Sequence, residues 1–401
     1  MPEIAEVARV VYYLRQNLIG KTIKKVLAPD DNNIFGKVGT SGPAFEKALT
    51  GKKVVDVGSQ GKYFWMVFSA PPHTVLHLGM TGWVEIRGKQ TGYSRHVERT
   101  KGNGEQWPPK FWKFHFETDD PKVEVAYIDS RRFGRVRLVD CPGEDIRKHS
   151  PLVENGPDPV VDKDIFTENF LRQKMRSRHV PVKALLLDQA TISGIGNWVG
   201  DEVLYQAKLH PEQYCDDFDD ADIGALYKAI RYVCETAVEK LGDSDLFPED
   251  WLFKHRWGKG KKDSPTTLPN GDKIIHITVG GRTSCVVPSV QKKRGRTTID
   301  NAKGEPTPSE EEKETESRFF KGKNKNKKET NSDAEAEGRS SKKAKTAKSK
   351  PVKKEEEEEE DPKLAIKASR KSNKPKKEEK PVEPSPELGR RRSSRLSRAA
   401  A

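Results

Sequence analysis

The chain is poor in cysteine and has no long hydrophobic run, and these absences exclude several classes of protein. No two of its four cysteines (Cys141, Cys215, Cys234 and Cys285) stand at a metal-ligand spacing such as C-x-x-C, so a zinc site is not expected. They form no pattern typical of a disulfide framework either. No apolar run is long enough to span a membrane, and the first residues do not resemble a secretory signal. The composition predicts a reduced, intracellular, soluble protein.

The end of the chain lacks the residues that build a core. Residues 291–401 contain no Trp, Tyr or Cys, and Phe319 and Phe320 are their only aromatic residues. They hold 33 Lys and Arg against 22 Asp and Glu, so they carry most of the net charge of +13. Such a segment buries too little apolar surface to offset its chain entropy. We therefore predict that residues 294–401 form a disordered charged tail.

The rest of the chain changes its hydrophobic period about half-way. After a first helix over 1–20, residues 21–139 alternate like strands between glycine-rich turns, which predicts a two-sheet β-sandwich. The polar residues 88–109 predict a mobile loop. Helical periodicity follows a proline-rich linker, and "DKIIHITVGGRTSCVVPSV" then predicts a β-hairpin with Gly280 and Gly281 at its turn. The helix candidates are 164–176, 181–190, 198–208 and 219–241.

These periods predict an α+β protein with three folded or connecting parts before the tail. The first is an N-terminal helix with a β-sandwich, and the last is a mainly helical domain that ends in the hairpin. The predicted bounds are 1–140 for the sandwich domain, 141–163 for the linker, 164–293 for the helical domain and 294–401 for the tail.

The stretch "MPEIAEVARVVYYLRQNL" starts an amphipathic helix almost at once. Its apolar positions lie on one stripe, with Pro2 in the first helical turn and Glu3 at the positive end of the helix dipole. That is the ordinary structural interpretation of these two residues. A chemical interpretation also exists. Without Met1, Pro2 carries a free secondary amine, and an α-amine with a pKa of about 8 is partly unprotonated at neutral pH.

One further stretch suggests contacts with phosphate. In "TISGIGNWVGDEVLYQ" the glycines predict a tight turn with Asn197 as the N-cap of a helix, whose free N–H groups suit an anion. The alternative is an ordinary corner between two helices. Lys62 in "SQGKYFW", at the entrance to an apolar strand, and Arg282 beside the Gly-Gly turn also stand out, and the ordinary interpretation of each is a surface residue.

Two glycine-bearing turns carry residues that suit insertion into a base stack. Met80 lies in "HLGMTG", and Arg131 and Phe133 lie in "DSRRFG". An arginine, a methionine and an aromatic residue at loop tips are able to wedge between bases. The alternative is that Met80 and Phe133 belong to the core.

Taken together and in this order, these motifs resemble those of one family, the formamidopyrimidine-DNA glycosylases and endonuclease VIII enzymes. The opening Pro-Glu, "GKYFW", "HLGMTG", "DSRRFG", "SGIGN" and the late hairpin arginine cover about residues 1–293. The resemblance implies a sandwich-like first domain, a second domain with a helix-two-turn-helix motif, and DNA in the cleft between them. Because a four-cysteine zinc finger is missing, the hairpin resembles the zincless finger of plant and fungal members.

The resemblance implies a role for each matching residue. Pro2 is the implied nucleophile at the deoxyribose C1′, and Glu3 is the implied acid/base group. The implied phosphate-binding residues around the extruded nucleotide are Lys62, His77, Asn197 and Arg282, and the implied void-filling residues are Met80, Arg131 and Phe133.

The implied activity is that of a bifunctional DNA glycosylase and abasic-site lyase of base excision repair. It would remove formamidopyrimidines and other oxidised purines and nick the strand by β-elimination or β,δ-elimination, with no metal or other cofactor. The implied partner is double-stranded DNA with oxidised bases or abasic sites. The preferred lesion stays open, because the irregular residues 242–272 replace the loop that covers the damaged base in bacterial members.

Two other functions are weighed against this one. A helix-two-turn-helix protein that binds damaged DNA without catalysis, with the tail as a scaffold for protein partners, is the first alternative. A nuclease is the weaker alternative, because no carboxylate cluster has metal-binding spacing. The basic clusters "KKAKTAKSKPVKK" and "RRRSSR" in the tail predict nuclear import or tethering to DNA. They do not exclude that part of the protein is located in mitochondria. We expect a monomer with no membrane association.

Overall fold

The first helix sets the position of the N-terminus. The computed structural model describes residues 2–92, 106–257 and 266–293. Helix α1 spans Ile4–Leu18, with Glu3 as its N-cap. Pro2 therefore precedes the helix, and the prediction that it lies in the first helical turn is wrong. At the other end the chain leaves the helix through Gly20, whose φ of +85° suits a residue without a side chain.

Two four-stranded antiparallel sheets follow and confirm the predicted sandwich. One sheet has the strand order β1-β6-β7-β5 and the other β2-β3-β4-β8. Their facing apolar side chains, together with those of α1, form the first core. The strands are β1 Ile23–Leu27, β2 Val54–Gln60, β3 Tyr63–Phe68, β4 His73–His77, β5 Trp83–Ile86, β6 Trp112–Thr118, β7 Glu124–Ile128 and β8 Arg135–Val139.

One helix interrupts the region in which mainly strands are predicted. Helix α2 spans Gly42–Leu49, and the Ser41 hydroxyl accepts a hydrogen bond from the Ala44 N–H. Its Phe45 and Leu49 are fully buried in the sandwich core. The N-cap serine and the proline of the first turn are local signals that mark this helix in the sequence.

The predicted helices of the second half all exist, with shifted ends. They are α3 Glu168–Arg176, α4 Val182–Leu187, α5 Asn197–Gln206 and α6 Asp220–Glu239. Their apolar faces form a second core, to which Ile4 and Ala5 of α1 also belong. Since the later turns of α1 pack in the sandwich core, the start of this helix joins the two halves. Short 3₁₀ helices lie at Gly36–Val38, Gly143–Lys148, Cys215–Asp217, Ser244–Leu246 and Leu252–Lys254.

The predicted hairpin is present as β9 Ile275–Val279 and β10 Arg282–Val286. Gly280 and Gly281 have φ values of +59° and +71°, as a two-residue turn between twisted strands requires. The turn rests on α4, because a Cβ added to Gly280 would lie 3.2 Å from the Ala184 Cβ.

The predicted tail at 294–401 and most of the predicted loop at 88–109 lie outside the described residues. Within the described ranges, no helix is both long and apolar enough to cross a membrane.

Candidate active site and DNA interface

The carboxylate of Glu3 lies at the start of α5. It accepts hydrogen bonds from the N–H groups of Gly196 at 2.9 Å, Trp198 at 3.0 Å and Val199 at 3.0 Å. These are donors that a helix N-terminus leaves without partners, and the helix dipole favours a negative charge there. Asn197 is predicted as the N-cap of this helix, but Gly196 takes that place and a side chain from α1 supplies the cap.

Glycine at position 196 leaves the room that this carboxylate occupies. A Cβ added to Gly196 would lie 2.2 Å from Cδ of Glu3. The preceding turn approaches α1 as well, since the Ile4 N–H donates to the Gly194 carbonyl at 3.1 Å. Gly194 has a φ of +95°, which confirms the tight turn predicted from "GIGN".

A second carboxylate, that of Glu6, lies one turn further along α1. It accepts a hydrogen bond from the Glu3 N–H at 2.8 Å. Burial, with the Glu3 charge adding to it, raises the pKa of Glu6 to about 7. The backbone after Pro2 is thus fixed through both the N–H and the side chain of Glu3.

Lys62 lies in the turn between β2 and β3. The turn packs closely against the turn before α5, because a Cβ on Gly61 would lie 2.6 Å from the Ser193 Cβ. Burial lowers the pKa of Lys62; the charge of Glu3 opposes this and that of Arg282 adds to it. The Lys62 ammonium makes no hydrogen bond or ion pair within the described part of the chain.

Asn197 and Arg282 are brought together where α5 meets the hairpin. The Asn197 side-chain amide donates to the Thr283 carbonyl at 2.9 Å, next to Arg282. Arg282 is exposed, and its guanidinium has no acidic partner among the described residues. This cation is therefore available to an anionic ligand.

A buried ionic cluster that the sequence analysis missed ties the hairpin to the helices. Asp201 accepts from Lys183 at 2.6 Å, from Arg256 at 2.5 Å and from the Cys285 N–H of β10 at 3.2 Å. Lys183 also donates to the Asn197 carbonyl at 2.8 Å. Nothing local in the sequence marks this cluster, because its members come from four separate segments.

His77, the last residue of β4, is a neutral candidate for phosphate binding. Burial, with the charge of Lys62 adding to it, lowers the pKa of His77 to about 4. Its Nδ1 accepts the Gly79 N–H at 3.0 Å, which assigns the ring proton to Nε2. An uncharged N–H donor then remains for a phosphate oxygen.

The void-filling candidates lie on two loops that are joined by hydrogen bonds. The Thr81 hydroxyl donates to Asp129 at 2.6 Å and accepts the Arg131 N–H at 3.2 Å. Asp129, which the sequence analysis did not single out, also accepts the Gly134 N–H at 2.7 Å. Its place in "DSRRFG" is the signal that marks it.

The side chains on these loops are not core residues. Phe133 is 46% exposed, and the Arg131 guanidinium lies 5.1 Å from its ring centroid. Met80 is half-buried and belongs to none of the core clusters. The alternative that Met80 and Phe133 are ordinary core residues is wrong.

Metal-ligating side chains are dispersed in the part of the chain that the structure describes. No group of three or more His, Cys, Asp or Glu residues there is placed to hold a metal ion. The four cysteines are separately buried thiols.

The structure places the Glu3 carboxylate near Lys62 at the start of α1, and it exposes Arg131 and Phe133 on the loop of residues 129–134. Residues 1–136 match the family model of the formamidopyrimidine-DNA glycosylase N-terminal domain, and residues 155–247 match that of its H2TH domain. A formamidopyrimidine-DNA glycosylase of Arabidopsis thaliana is 38% identical over 310 residues, which are 76% of this chain and 75% of the relative. The chain belongs to the formamidopyrimidine-DNA glycosylase family.

Bacterial relatives and solved structures agree. A formamidopyrimidine-DNA glycosylase of Pelotomaculum thermopropionicum is 31% identical over 304 residues, covering 73% of this chain and 99% of that relative. The fold matches that of the Lactococcus lactis enzyme bound to DNA with an abasic site, with a TM-score of 0.58 and 24% identity. The match covers 73% of this chain and all of the bacterial one.

Membership of the formamidopyrimidine-DNA glycosylase family makes the chain a DNA-binding enzyme of DNA repair, a DNA glycosylase that acts on oxidised bases in base excision repair. It also decides against the alternatives of a non-catalytic binding protein and of a nuclease.

Proposed function

We propose that this glycosylase is bifunctional, removing formamidopyrimidines and other oxidised purines and then nicking the strand, with Pro2 as its nucleophile. The observation that carries the proposal is the placement of Glu3. Its carboxylate is fixed by three N–H groups of α5, and it follows directly after Pro2. A carboxylate has about four lone-pair sites, so one remains for proton transfer.

The proposed reaction begins once Met1 is removed. The Pro2 nitrogen forms a bond to C1′ as the bond from C1′ to the base breaks, and the base leaves with a proton that passes through Glu3. The bond from C1′ to the ring oxygen O4′ then breaks as O4′ takes a proton through Glu3, which leaves the positive charge on the nitrogen as an iminium. Loss of a proton from C2′ then expels the 3′ phosphate, which is β-elimination, and water releases the sugar from Pro2. A second elimination at the 5′ phosphate would make the reaction β,δ.

The nucleotide has to leave the duplex for this chemistry, because C1′ is hidden in stacked DNA. We propose that Lys62, His77, Asn197 and Arg282 hold its phosphates, and that Met80, Arg131 and Phe133 fill the gap. The free cation of Arg282, the neutral Nε2–H of His77, and the exposed Phe133 ring with its neighbouring Arg131 cation support these roles. Asn197 already uses its amide to hold the hairpin, so it acts at least in part by positioning Arg282.

Several further features belong to the same proposal. The partner is double-stranded DNA with an oxidised base or an abasic site, and the enzyme acts as a monomer. The hairpin takes the place of a zinc finger. The charged tail holds protein partners, and its basic clusters direct the enzyme to the nucleus, with a mitochondrial share left open. The domain bounds at residues 140 and 163 remain predictions.

Duplexes that each carry one defined lesion test this function. We expect the full chain to release formamidopyrimidine bases and to nick the same strand, with free base and strand scission measured separately. Base release without scission would overturn the bifunctional proposal, and binding without either product would overturn the proposed catalysis.

A further inference from the structure

Phe111 is an aromatic residue with an unusual backbone and an exposed ring. Its φ is +66°, in the left-handed region that a non-glycine residue enters only at a cost in free energy. The side chain is 49% exposed and lies in none of the core clusters. Burial of the ring therefore does not offset that backbone cost.

The backbone of Phe111 is held by the base of the loop between β7 and β8, residues 129–134, which we call the wedge loop. Its carbonyl accepts the Asp129 N–H at 3.1 Å, and the Asp129 carboxylate in turn accepts the Arg131 N–H at 3.1 Å. The position of Phe111 is thus fixed relative to the loop that carries Arg131 and Phe133.

Phe111 also has a neighbouring cation, as Phe133 on that loop does. The ammonium of Lys110 lies 5.0 Å from the centroid of the Phe111 ring, as the guanidinium of Arg131 lies over Phe133. Lys110 and Arg131 are both exposed and have no acidic partner among the described residues. A cation beside an exposed aromatic face suits a nucleic-acid strand, in which stacking surfaces alternate with phosphates.

The sheet register places this pair at the start of the wedge loop. The loop leaves β7 beside Trp112, which pairs with Ile128, and enters β8 where Arg135 pairs with His77. Phe111 precedes Trp112, so it flanks the entrance of the loop, whereas His77 flanks its exit. If His77 at one end of the loop holds a phosphate of the extruded nucleotide, the end beside Phe111 is left for the other strand.

We propose that Phe111 and Lys110 form a second DNA-binding element, which grips the complementary strand across from the extruded nucleotide. The ring packs on a base or sugar of that strand, and Lys110 neutralises an adjacent phosphate. The proposal rests on the proposed placement of DNA against the wedge loop.

Two substitutions distinguish the effect of the Phe111 ring on DNA binding from the effect of its backbone conformation. Phe111→Gly removes the ring and relieves the positive φ, so the melting temperature is expected to stay equal or rise. Phe111→Tyr keeps an aromatic face and is the matched control. Should Phe111→Gly fail to melt cooperatively, Phe111→Asn replaces it, because asparagine tolerates this φ.

The probes are a duplex with a stable abasic-site analogue and the same lesion strand paired with a complement that has a short gap opposite the lesion. We expect Phe111→Gly to bind the intact duplex about tenfold more weakly than wild type, to match wild type on the gapped duplex, and Phe111→Tyr to bind both normally. Three results would overturn the proposal. They are wild-type affinity of Phe111→Gly for the intact duplex, a loss of affinity on the gapped duplex as large as on the intact one, and a loss in Phe111→Tyr as large as in Phe111→Gly. A failure of the proposed function looks different, since the wild type itself would then not release bases.

Discussion

The carboxylate of Glu3 accepts a hydrogen bond from the N–H of Val199 at 3.0 Å, across 196 positions of the chain. Helix α5 is therefore capped by the side chain of the residue that is itself the N-cap of α1. Because Pro2 directly precedes Glu3 in the chain, the same contact fixes the proposed nucleophile against the helical half. The contact that stabilises the start of α5 therefore also positions the proposed catalytic residues.

Substitution of Gly196 by alanine is expected to displace the Glu3 carboxylate, since the new Cβ would lie 2.4 Å from one of its oxygens. We expect base release to fall at least roughly 100-fold, as for the loss of a positioned proton-transfer group. Single-turnover base release measures this. The control is Gly224→Ala in α6, whose Cβ would meet its nearest atom at 3.6 Å. Equal activity of the two variants would contradict the role of Gly196.

Glu3→Gln is expected to affect both folding and catalysis. Three N–H donors face the two carboxylate oxygens, so the amide nitrogen of glutamine would face at least one donor. We expect a loss of about 1–2 kcal/mol in unfolding free energy and a fall of about 10²–10⁴ in base release. Nicking of a preformed abasic site should be partly retained, because no base has to leave. Wild-type base release would contradict the acid/base assignment.

The salt dependence of DNA binding should distinguish Arg282 from His77. Arg282 is an exposed cation, so Arg282→Ala should reduce the log–log salt slope by about one. His77 has a pKa of about 4 and is neutral at pH 7. His77→Ala should therefore weaken binding and leave the slope unchanged. Titrations of one lesion duplex at several salt concentrations measure both slopes, and a slope that changes equally in the two variants would argue against this distinction.

The raised pKa of Glu6 predicts how the free energy of unfolding depends on pH. Its pKa in the folded protein is about 7, above the ordinary value of 4.5. Between these values the folded protein keeps a proton that the unfolded chain has lost, so the contribution of Glu6 to stability falls as the pH rises through this window. Glu6→Gln keeps an acceptor for the Glu3 N–H and lacks the titration. Compared with wild type, it should be relatively more stable at pH 8 than at pH 4.5 in denaturant unfolding; parallel pH profiles would contradict the assignment.

Local signals in the sequence predicted much of the fold. The stripe on α1, the glycines of "GIGN" and the Gly-Gly turn of the hairpin each specify their own backbone within a few residues. Helix α2 carries equally local signals in Ser41 and Pro43, and it was missed because the surrounding region alternates like strands.

Contacts between distant segments could not be predicted in this way. The cap that Glu3 gives to α5, the Asp201 cluster and the bond between Phe111 and Asp129 depend on how the halves pack. The lowered pKa values of Lys62 and His77 arise from burial that only the folded chain creates.

Capture of the covalent intermediate tests the central claim most directly. Borohydride reduces an iminium to a permanent bond, so the enzyme should be trapped on lesion-bearing or abasic DNA and not on undamaged duplex. The site of attachment is decisive, because Lys62 is a second amine of lowered pKa close to Glu3. Mass spectrometry of the digested adduct should place the DNA on the N-terminal peptide that begins at Pro2. An adduct on the Lys62 peptide, or normal trapping by a protein with an uncleaved N-terminal extension, would contradict the account.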